Sequence, residues 1–170
     1  MRYFVLIRGP AAVGKTTIAN ELAKIINGQV IRIDKILEKN KLDYLSGDKC
    51  VKSTNLVKAN LIAIAMLRKI KQDKVAIFDH NFYQKSQIKH LVDNLKNFKG
   101  KCFIFTLKAD QKECISRDKK RIKGLGQKRV KDVYALNSKF NYGIMIDTNG
   151  KTVKETIDKI LINLPNPETS

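Results

Sequence analysis

An eight-residue segment near the amino terminus, Gly9-Pro10-Ala11-Ala12-Val13-Gly14-Lys15-Thr16, sharply limits the folds open to this chain. A short apolar run, Tyr3 to Ile7, precedes it, and the segment that follows, Thr17 to Ile26, carries apolar residues at helical spacing. The order predicts a tight turn between a strand and a helix. In that context the spacing G-x-x-x-x-G-K-[ST] defines a phosphate-binding loop, or P-loop.

The residue types of this loop suit a nucleotide. Gly9 and Gly14 let the backbone turn tightly and direct N–H groups at phosphate oxygens, at the positive end of the helix dipole. Lys15 can reach the β- and γ-phosphates, and the Thr16 hydroxyl can coordinate Mg²⁺. Thr17 either touches the α-phosphate or caps the helix, and the bland alternative for the whole motif is a chance glycine-rich turn. The expected nucleotide-binding residues are Gly9, Ala11, Ala12, Val13, Gly14, Lys15, Thr16 and Thr17.

The chain length of 170 residues predicts a single domain, and a hydrophobic content of 43% is enough for a core. Cys50, Cys102 and Cys114 are far apart and form no C-x-x-C pair, which argues against a disulfide framework or a zinc site and favours a reducing cytoplasm. Cys114 fits a small buried apolar residue. The first apolar run is interrupted by Arg8 and is too short for a membrane span.

Short apolar runs alternate with helical patterns along the chain, which predicts a parallel sheet covered on both faces and binding beyond the carboxyl ends of its strands. The predicted strands are Tyr3 to Ile7, Val30 to Ile33, Val75 to Phe78, Cys102 to Leu107 and Ile144 to Ile146. The later predicted helices are Leu56 to Ile70, a stripe from Ile88 to Phe98 ended by Gly100, and a last helix opened by the capping box Thr152 to Glu155 with an apolar face of Val153, Ile157, Ile160 and Leu161.

The net charge of +18 attracts anions in general, so nucleotides, nucleic acid and phosphorylated metabolites are all compatible partners. Lysines that merely solvate the surface are an equal alternative. A basic stretch from Arg117 to Arg129, with Gly124 and Gly126 supplying flexibility, interrupts two helical segments and predicts a lid at about 117–130. The tail from Pro165 to Ser170 is expected to fray.

Guanine-specific P-loop proteins need N-K-x-D and D-x-x-G motifs. The nearest segments, Leu107 to Asp110 and Asp79 to Phe82, lack the Asn and the Gly respectively. Large motor ATPases need far more chain. The small kinases therefore remain.

The P-loop, the strand ends Ile33-Asp34 and Phe78-Asp79, the arginines of the lid and Ile146-Asp147-Thr148 together resemble the small P-loop kinases, which include polynucleotide 5′-kinases, adenylylsulfate kinase, chloramphenicol phosphotransferase and zeta-toxin-like proteins. The resemblance spans most of the chain. It implies an α/β three-layer fold with a five-stranded parallel sheet in the order 2-3-1-4-5. It also implies ATP- and Mg²⁺-dependent transfer of the γ-phosphate to a hydroxyl.

Within that resemblance Asp34 orients or deprotonates the acceptor hydroxyl, although an Asp can also serve as a helix N-cap for the segment from Lys35 to Lys39. Asp79, as a Walker-B-type acid, holds Mg²⁺ through water, and its alternative is a strand-end turn residue. His80 and Tyr83 are candidates to line the acceptor pocket. His90 is expected on a helix surface.

Arg117 and Arg121 are four residues apart, which predicts one helical face. By resemblance Arg117 covers the adenine, Arg121 is catalytic and neutralises the transferring phosphoryl group, and Arg129 is a weaker acceptor-binding candidate. The alternative is a solvated basic helix.

The acceptor stays open between a nucleic-acid 5′-end, a nucleoside and a small metabolite. A monophosphate acceptor is disfavoured, because the segment from Asp79 to Gln84 lacks the Gly and Arg that nucleoside monophosphate kinases typically place there. Specificity is expected from the lid, from Ile36 to Lys49 and from the loop after Asp79. The alternative function is an ATP-binding, nucleic-acid-associated module or an ATPase without kinase chemistry.

Overall fold

A computed structural model describes residues 2–45 and 50–165. Five strands in this part of the chain pair in parallel, in the spatial order β2-β3-β1-β4-β5. The number and parallel direction of the strands are those that the sequence pattern predicted, and their order is the one that the resemblance to small P-loop kinases implied. The strands are Tyr3–Arg8 (β1), Gly28–Arg32 (β2), Val75–Asp79 (β3), Lys101–Lys108 (β4) and Ile144–Asp147 (β5).

Helices cover both faces of the sheet, because alternate residues of each strand point to opposite sides. Phe4 and Leu6 of β1 join one apolar cluster, and Val5 and Ile7 join the other. The α-helices are Lys15–Ile25 (α1), Ile33–Lys39 (α2), Ser53–Leu67 (α3), Lys85–Leu95 (α4), Gln111–Lys119 (α5), Gln127–Ser138 (α6) and Val153–Leu161 (α7). Helices α2, α3 and α4 pack in the cluster that contains Phe4, while α1 and α7 pack in the cluster that contains Val5.

Two predicted element ends differ from the structure. Strand β2 stops at Arg32, so Asp34 lies in the first turn of α2 rather than at a strand end. Helix α4 stops at Leu95 and continues as one 3₁₀ turn to Phe98, after which Lys99, not Gly100, adopts the left-handed conformation with φ 53°. Gly100 instead allows close packing, because a Cβ there would clash with the ring of Phe4.

The capping box of α7 is formed as predicted. The Thr152 hydroxyl accepts from the Glu155 N–H at 3.2 Å, and the Glu155 carboxylate accepts from the Thr152 N–H at 2.8 Å. Of the predicted apolar face, Ile157 and Ile160 are buried, but Val153, the first residue of α7, is 39% exposed.

Cys114 is buried, as predicted, and all three cysteines are free thiols. None of the helices in the described part of the chain combines the length and apolar content needed to cross a bilayer. The predictions for the tail beyond Pro165, and for residues 46–49 of the specificity region, lie outside the described residues.

Candidate active site

The loop between β1 and α1 turns through two glycines with positive φ, 148° at Gly9 and 105° at Gly14. At Gly9 a Cβ would stand 2.6 Å from the carbonyl oxygen of Leu107, so only glycine fits between β1 and β4. At Gly14 the space around such a Cβ is open, and the requirement there is the left-handed backbone that caps α1. The loop thus presents its amides and the start of α1 to one open space.

Asp79 stands beside this loop because the end of β3 pairs with Ile7 of β1. The Thr16 hydroxyl donates to Asp79 Oδ2 at 2.6 Å, and the carboxylate is almost fully buried. Its second oxygen, Oδ1, is buried with no hydrogen-bond partner in the described structure. A buried carboxylate oxygen without a donor, next to a hydroxyl, fits a magnesium ion bound directly or through water.

Lys15 begins α1, and its ammonium group folds back to donate to the carbonyl oxygen of Pro10 at 2.8 Å. Burial lowers the pKa of Lys15, while the nearby carboxylates of Asp79 and Asp34 act in the opposite direction. The side chain is therefore held inside the loop by one neutral acceptor and two acidic neighbours. A phosphate oxygen is a stronger partner for an ammonium group than the carbonyl of Pro10 is.

Asp34 approaches the same space from β2, because Arg32 is in register with Asp79 on β3. Its carboxylate oxygen Oδ1 lies 3.2 Å from Nε2 of His80. Burial acts to raise the pKa of Asp34, but the His80 imidazole, Lys15 and Arg32 outweigh it and lower the pKa to about 2. The N-cap of α2 is Arg32 rather than Asp34, so the capping alternative for Asp34 does not hold.

One cavity of about 530 Å³ brings most of the predicted residues together. The cavity adjoins a surface depression, and Leu125 and Arg129 line both of them. Of the residues predicted from sequence, the cavity is lined by Ala11, Ala12, Gly14, Lys15, Thr16, Asp34, His80, Tyr83, Arg121 and Arg129. Basic side chains of Arg32 and Lys123 and acidic side chains of Glu38 and Asp43 also line it.

Arg117 lies on a different side of the P-loop. Its guanidinium donates to the Val13 carbonyl at 3.1 Å and to the hydroxyl and carbonyl of Thr148, and it pairs with Glu113 at 2.7 Å. Together with Thr17 and Thr148 it lines a smaller depression of about 240 Å³. Thr148 is buried directly after β5. The sequence analysis did not identify it as a hydrogen-bond partner of Arg117.

Arg117 and Arg121 do not share a helical face, contrary to the sequence prediction. Helix α5 ends at Lys119, so Arg121 lies in the turn that follows, where its guanidinium lies 4.0 Å from the Asp118 carboxylate. The two arginines therefore line separate depressions.

The turn from 120 to 126 is organised by Asp118. This buried carboxylate accepts from the backbone N–H groups of Leu125 at 3.0 Å and Gly126 at 2.9 Å. A Cβ at Gly124 would lie 2.8 Å from the Asp118 carbonyl oxygen, and Gly126 has a φ of 86°. The two glycines, predicted to supply flexibility, thus permit a close approach and a left-handed backbone.

His80 and Tyr83 line the cavity and are both buried. The Tyr83 hydroxyl accepts from the Val51 N–H at 2.9 Å, and burial raises the pKa of Tyr83. His80 is 2% exposed. His90, predicted to lie on a helix surface, is half-buried and lies 3.3 Å from the Asn60 amide, because α3 packs against α4 at that point.

A P-loop between the central strand β1 and a helix, Asp79 at the end of the adjacent strand β3, Asp34 in the first turn after β2, and the order β2-β3-β1-β4-β5 define the small P-loop kinase fold. A family model described as "AAA domain" matches residues 4–133, and the chain belongs to that family.

Solved structures of similar fold cover nearly the whole chain. A gluconokinase from Sinorhizobium meliloti 1021 is 10% identical, with a TM-score of 0.68 over 95% of this chain and 92% of that one. A tunicamycin resistance protein from Deinococcus radiodurans is 18% identical, with a TM-score of 0.68 over 96% and 95%. A sugar kinase from Janibacter sp. HTCC2649 is 14% identical, with a TM-score of 0.68 over 95% and 94%. No curated protein matches this sequence significantly.

Proposed function

We propose that the protein is an ATP- and Mg²⁺-dependent kinase that transfers the γ-phosphoryl group to a hydroxyl of its acceptor. The observation that carries the proposal is the meeting of Lys15, Thr16, Asp34 and Arg121 around one cavity, with Asp79 bonded to Thr16. Phosphoryl transfer needs positioning and charge neutralisation rather than a covalent intermediate, and these residue types supply both. The kinases among the similar structures support the same class of reaction.

The P-loop amides and Lys15 would bind the triphosphate, and Thr16 and Asp79 would hold the magnesium ion, which supplies neutralising charge at the phosphates. Arg117 would lie beside the adenosine, since it lines the depression on the other side of the loop with Thr17. Arg121 would neutralise the transferring group. The segment at about 117–130 would act as the lid of a single domain.

Asp34 would accept a hydrogen bond from the acceptor hydroxyl. The hydroxyl oxygen forms the new bond to the γ-phosphorus, the bond to the β-phosphate oxygen breaks, and ADP leaves. The hydroxyl proton passes to Asp34 and then to water. A carboxyl with a pKa of about 2 is a weak base. This suits a loose transition state, in which the proton moves late and orientation matters more than basicity.

The test is transfer from γ-labelled ATP to oligonucleotides, nucleosides and small hydroxyl metabolites. We expect labelled product with one acceptor class, at least a 100-fold loss in Lys15→Ala and Asp34→Asn, and no loss in Lys24→Ala and Asp93→Asn. The controls are matched: Lys24 is exposed on the same helix as Lys15, and Asp93 pairs with Lys89 on α4. Transfer at the normal rate by Asp34→Asn would remove Asp34 from the reaction.

The +18 charge favours a second candidate, an ATP-binding module that docks on nucleic acid. The logarithm of its association constant for an RNA oligonucleotide would fall linearly with the logarithm of the salt concentration, with a slope of about −0.7 for each phosphate neutralised. No acceptor-dependent ADP release would accompany binding. Release of ADP only when a hydroxyl acceptor is present would decide in favour of the kinase.

A further inference from the structure

His80 is enclosed by three hydrogen-bonding neighbours at the edge of the cavity. Its Nε2 lies 3.2 Å from Asp34 Oδ1, and its Nδ1 lies 3.2 Å from both the backbone nitrogen of Phe82 and the side-chain nitrogen of Gln87. Only 2% of the residue is exposed. The ring therefore has fixed partners on both of its nitrogens.

The backbone N–H of Phe82 can only donate, so Nδ1 of His80 must carry a lone pair and no proton. The Gln87 amide donating to the same nitrogen agrees with this arrangement. The ring N–H is then that of Nε2, which faces Asp34. His80 accordingly donates to the Asp34 carboxylate, and a second proton on Nδ1 would break the Phe82 bond.

The backbone around His80 is shaped for this contact. Phe82 adopts a φ of 46°, a conformation that bulky residues rarely take. This turn folds the Phe82 N–H back towards the ring of His80, and the two rings pack edge to face at 5.2 Å. Backbone strain that persists beside a candidate site indicates that the surroundings enforce it.

We propose that His80 is a positioning residue: the N–H of its Nε2 holds the Asp34 carboxylate in the orientation that receives the acceptor hydroxyl. The bond occupies one carboxylate oxygen, and the Asp34 side chain stays 51% exposed to the cavity. His80 itself, being enclosed, acts only through Asp34. The proposal rests on the kinase function proposed above.

The first test is nitrogen-15 NMR of the imidazoles, which is simple because the chain has two histidines. The variant His90→Gln assigns the signals. We expect a pyridine-like Nδ1 and a pyrrole-like, protonated Nε2 for His80 at pH 8. Asp34→Ala should shift the Nε2 signal, whereas Asp43→Ala, a carboxylate of the same cavity, should leave it in place. A proton on Nδ1 overturns the proposal.

The second test is kinetic. His80→Phe keeps a ring but cannot donate, and we expect kcat to fall by about 100-fold while KM for MgATP changes less than about twofold. His80→Gln can still donate to Asp34 and should recover at least about a tenth of the lost activity, and His90→Gln should match the wild type. Equal losses in the Gln and Phe variants, or no loss in either, overturn the positioning role.

The two proposals fail differently. If the wild-type protein transfers phosphate to no hydroxyl compound, the kinase function fails and the catalytic meaning of His80 fails with it, while the NMR result on Nε2 can stand. If transfer occurs and His80→Phe keeps the wild-type kcat, only the role of His80 is overturned.

Discussion

Asp34 and Asp79 follow neighbouring strands but have different surroundings, and this separates their chemistry. Asp79 is buried against Thr16, and none of the residues that the structure describes donates a hydrogen bond to its second oxygen, which suits a cation. Asp34 faces the cavity with half of its side chain exposed, which suits a substrate group. Two carboxylates close to one phosphate site can thus take different roles, because burial and partners differ between them.

Asp34 gives a prediction about pH. Its pKa in the folded protein, about 2, is below the ordinary value of 3.8. The ionised form therefore stabilises the fold above about pH 4, and this contribution is lost as the pH falls towards 2. The difference in free energy of unfolding between the wild type and Asp34→Asn, measured with urea, should be constant from pH 7 to 5 and shrink below pH 4. A difference that grows on acidification would contradict the prediction.

Arg8, the last residue of β1, is fully buried immediately before the P-loop. Its guanidinium donates to the Phe82 carbonyl at 3.2 Å, the Thr106 hydroxyl at 3.1 Å and the Asn137 side chain at 3.1 Å, and it lies 4.4 Å from the Phe140 ring. Burial lowers the pKa of Arg8 to about 10. This value is still well above 7, so the guanidinium is charged at neutral pH. One side chain thus connects β1, β4, the turn after β3 and the end of α6.

Replacing Arg8 should be costly. In Arg8→Met several buried oxygens lose their donor, so the free energy of unfolding should fall by about 3 kcal/mol. Arg8→Lys keeps the charge but not the planar fork, and we expect a smaller loss. Urea unfolding measures both. Arg68→Met, an exposed arginine after α3, is the control and should change the free energy of unfolding by less than about 0.5 kcal/mol.

Among the elements, the turn between α5 and α6 carries Arg121 to the cavity. It projects from the end of a helix, and its shape depends on the buried Asp118 carboxylate that binds two of its backbone N–H groups. Arg121 is also within 4.0 Å of that carboxylate. The position of Arg121 therefore depends on a residue that does not itself line the cavity.

Removing the Asp118 carboxylate should loosen this turn. In Asp118→Ala the N–H groups of Leu125 and Gly126 lose their acceptor, which costs about 1–3 kcal/mol locally. We expect trypsin to cleave between residues 119 and 128 at least about tenfold faster than in the wild type. Asp158→Ala, an exposed acid on α7, should leave the cleavage rate unchanged. Unchanged cleavage in Asp118→Ala would show that other contacts hold the turn.

For the whole molecule, the parallel sheet places the P-loop and the residues that follow β2 and β3 at one edge. A ligand that contacts all of these elements must stabilise the folded chain. At 100 times its dissociation constant, MgATP should add about 2.7 kcal/mol and raise Tm by about 5 °C or more. Calorimetry should find the same rise in Lys24→Ala and none in Lys15→Ala at that concentration. An equal rise in Lys15→Ala would remove this lysine from nucleotide binding.

Short-range sequence patterns predicted much of the fold. Apolar runs, helical periodicity and the P-loop spacing predicted the strands and the turn at Gly9 to Thr16, because each depends on neighbours a few residues away. The capping box at Thr152 was predicted for the same reason. The order of the strands came from the resemblance to small P-loop kinases. Helix ends were less predictable. The end of α5 before Arg121 depends on how Asp118 binds the following turn, which periodicity does not report.

What the amino-acid order determined by itself is the fold and the loop that would bind a triphosphate, since backbone conformation and hydrophobic pattern act over short distances. Only the tertiary structure decided that Arg8 is a buried junction rather than a break in an apolar run, and that His80 is buried with its Nε2 3.2 Å from the Asp34 carboxylate. Those contacts join residues far apart in sequence, 98 positions for Arg8 and Thr106. Their hydrogen bonds exist only once strands and helices have excluded water from between them.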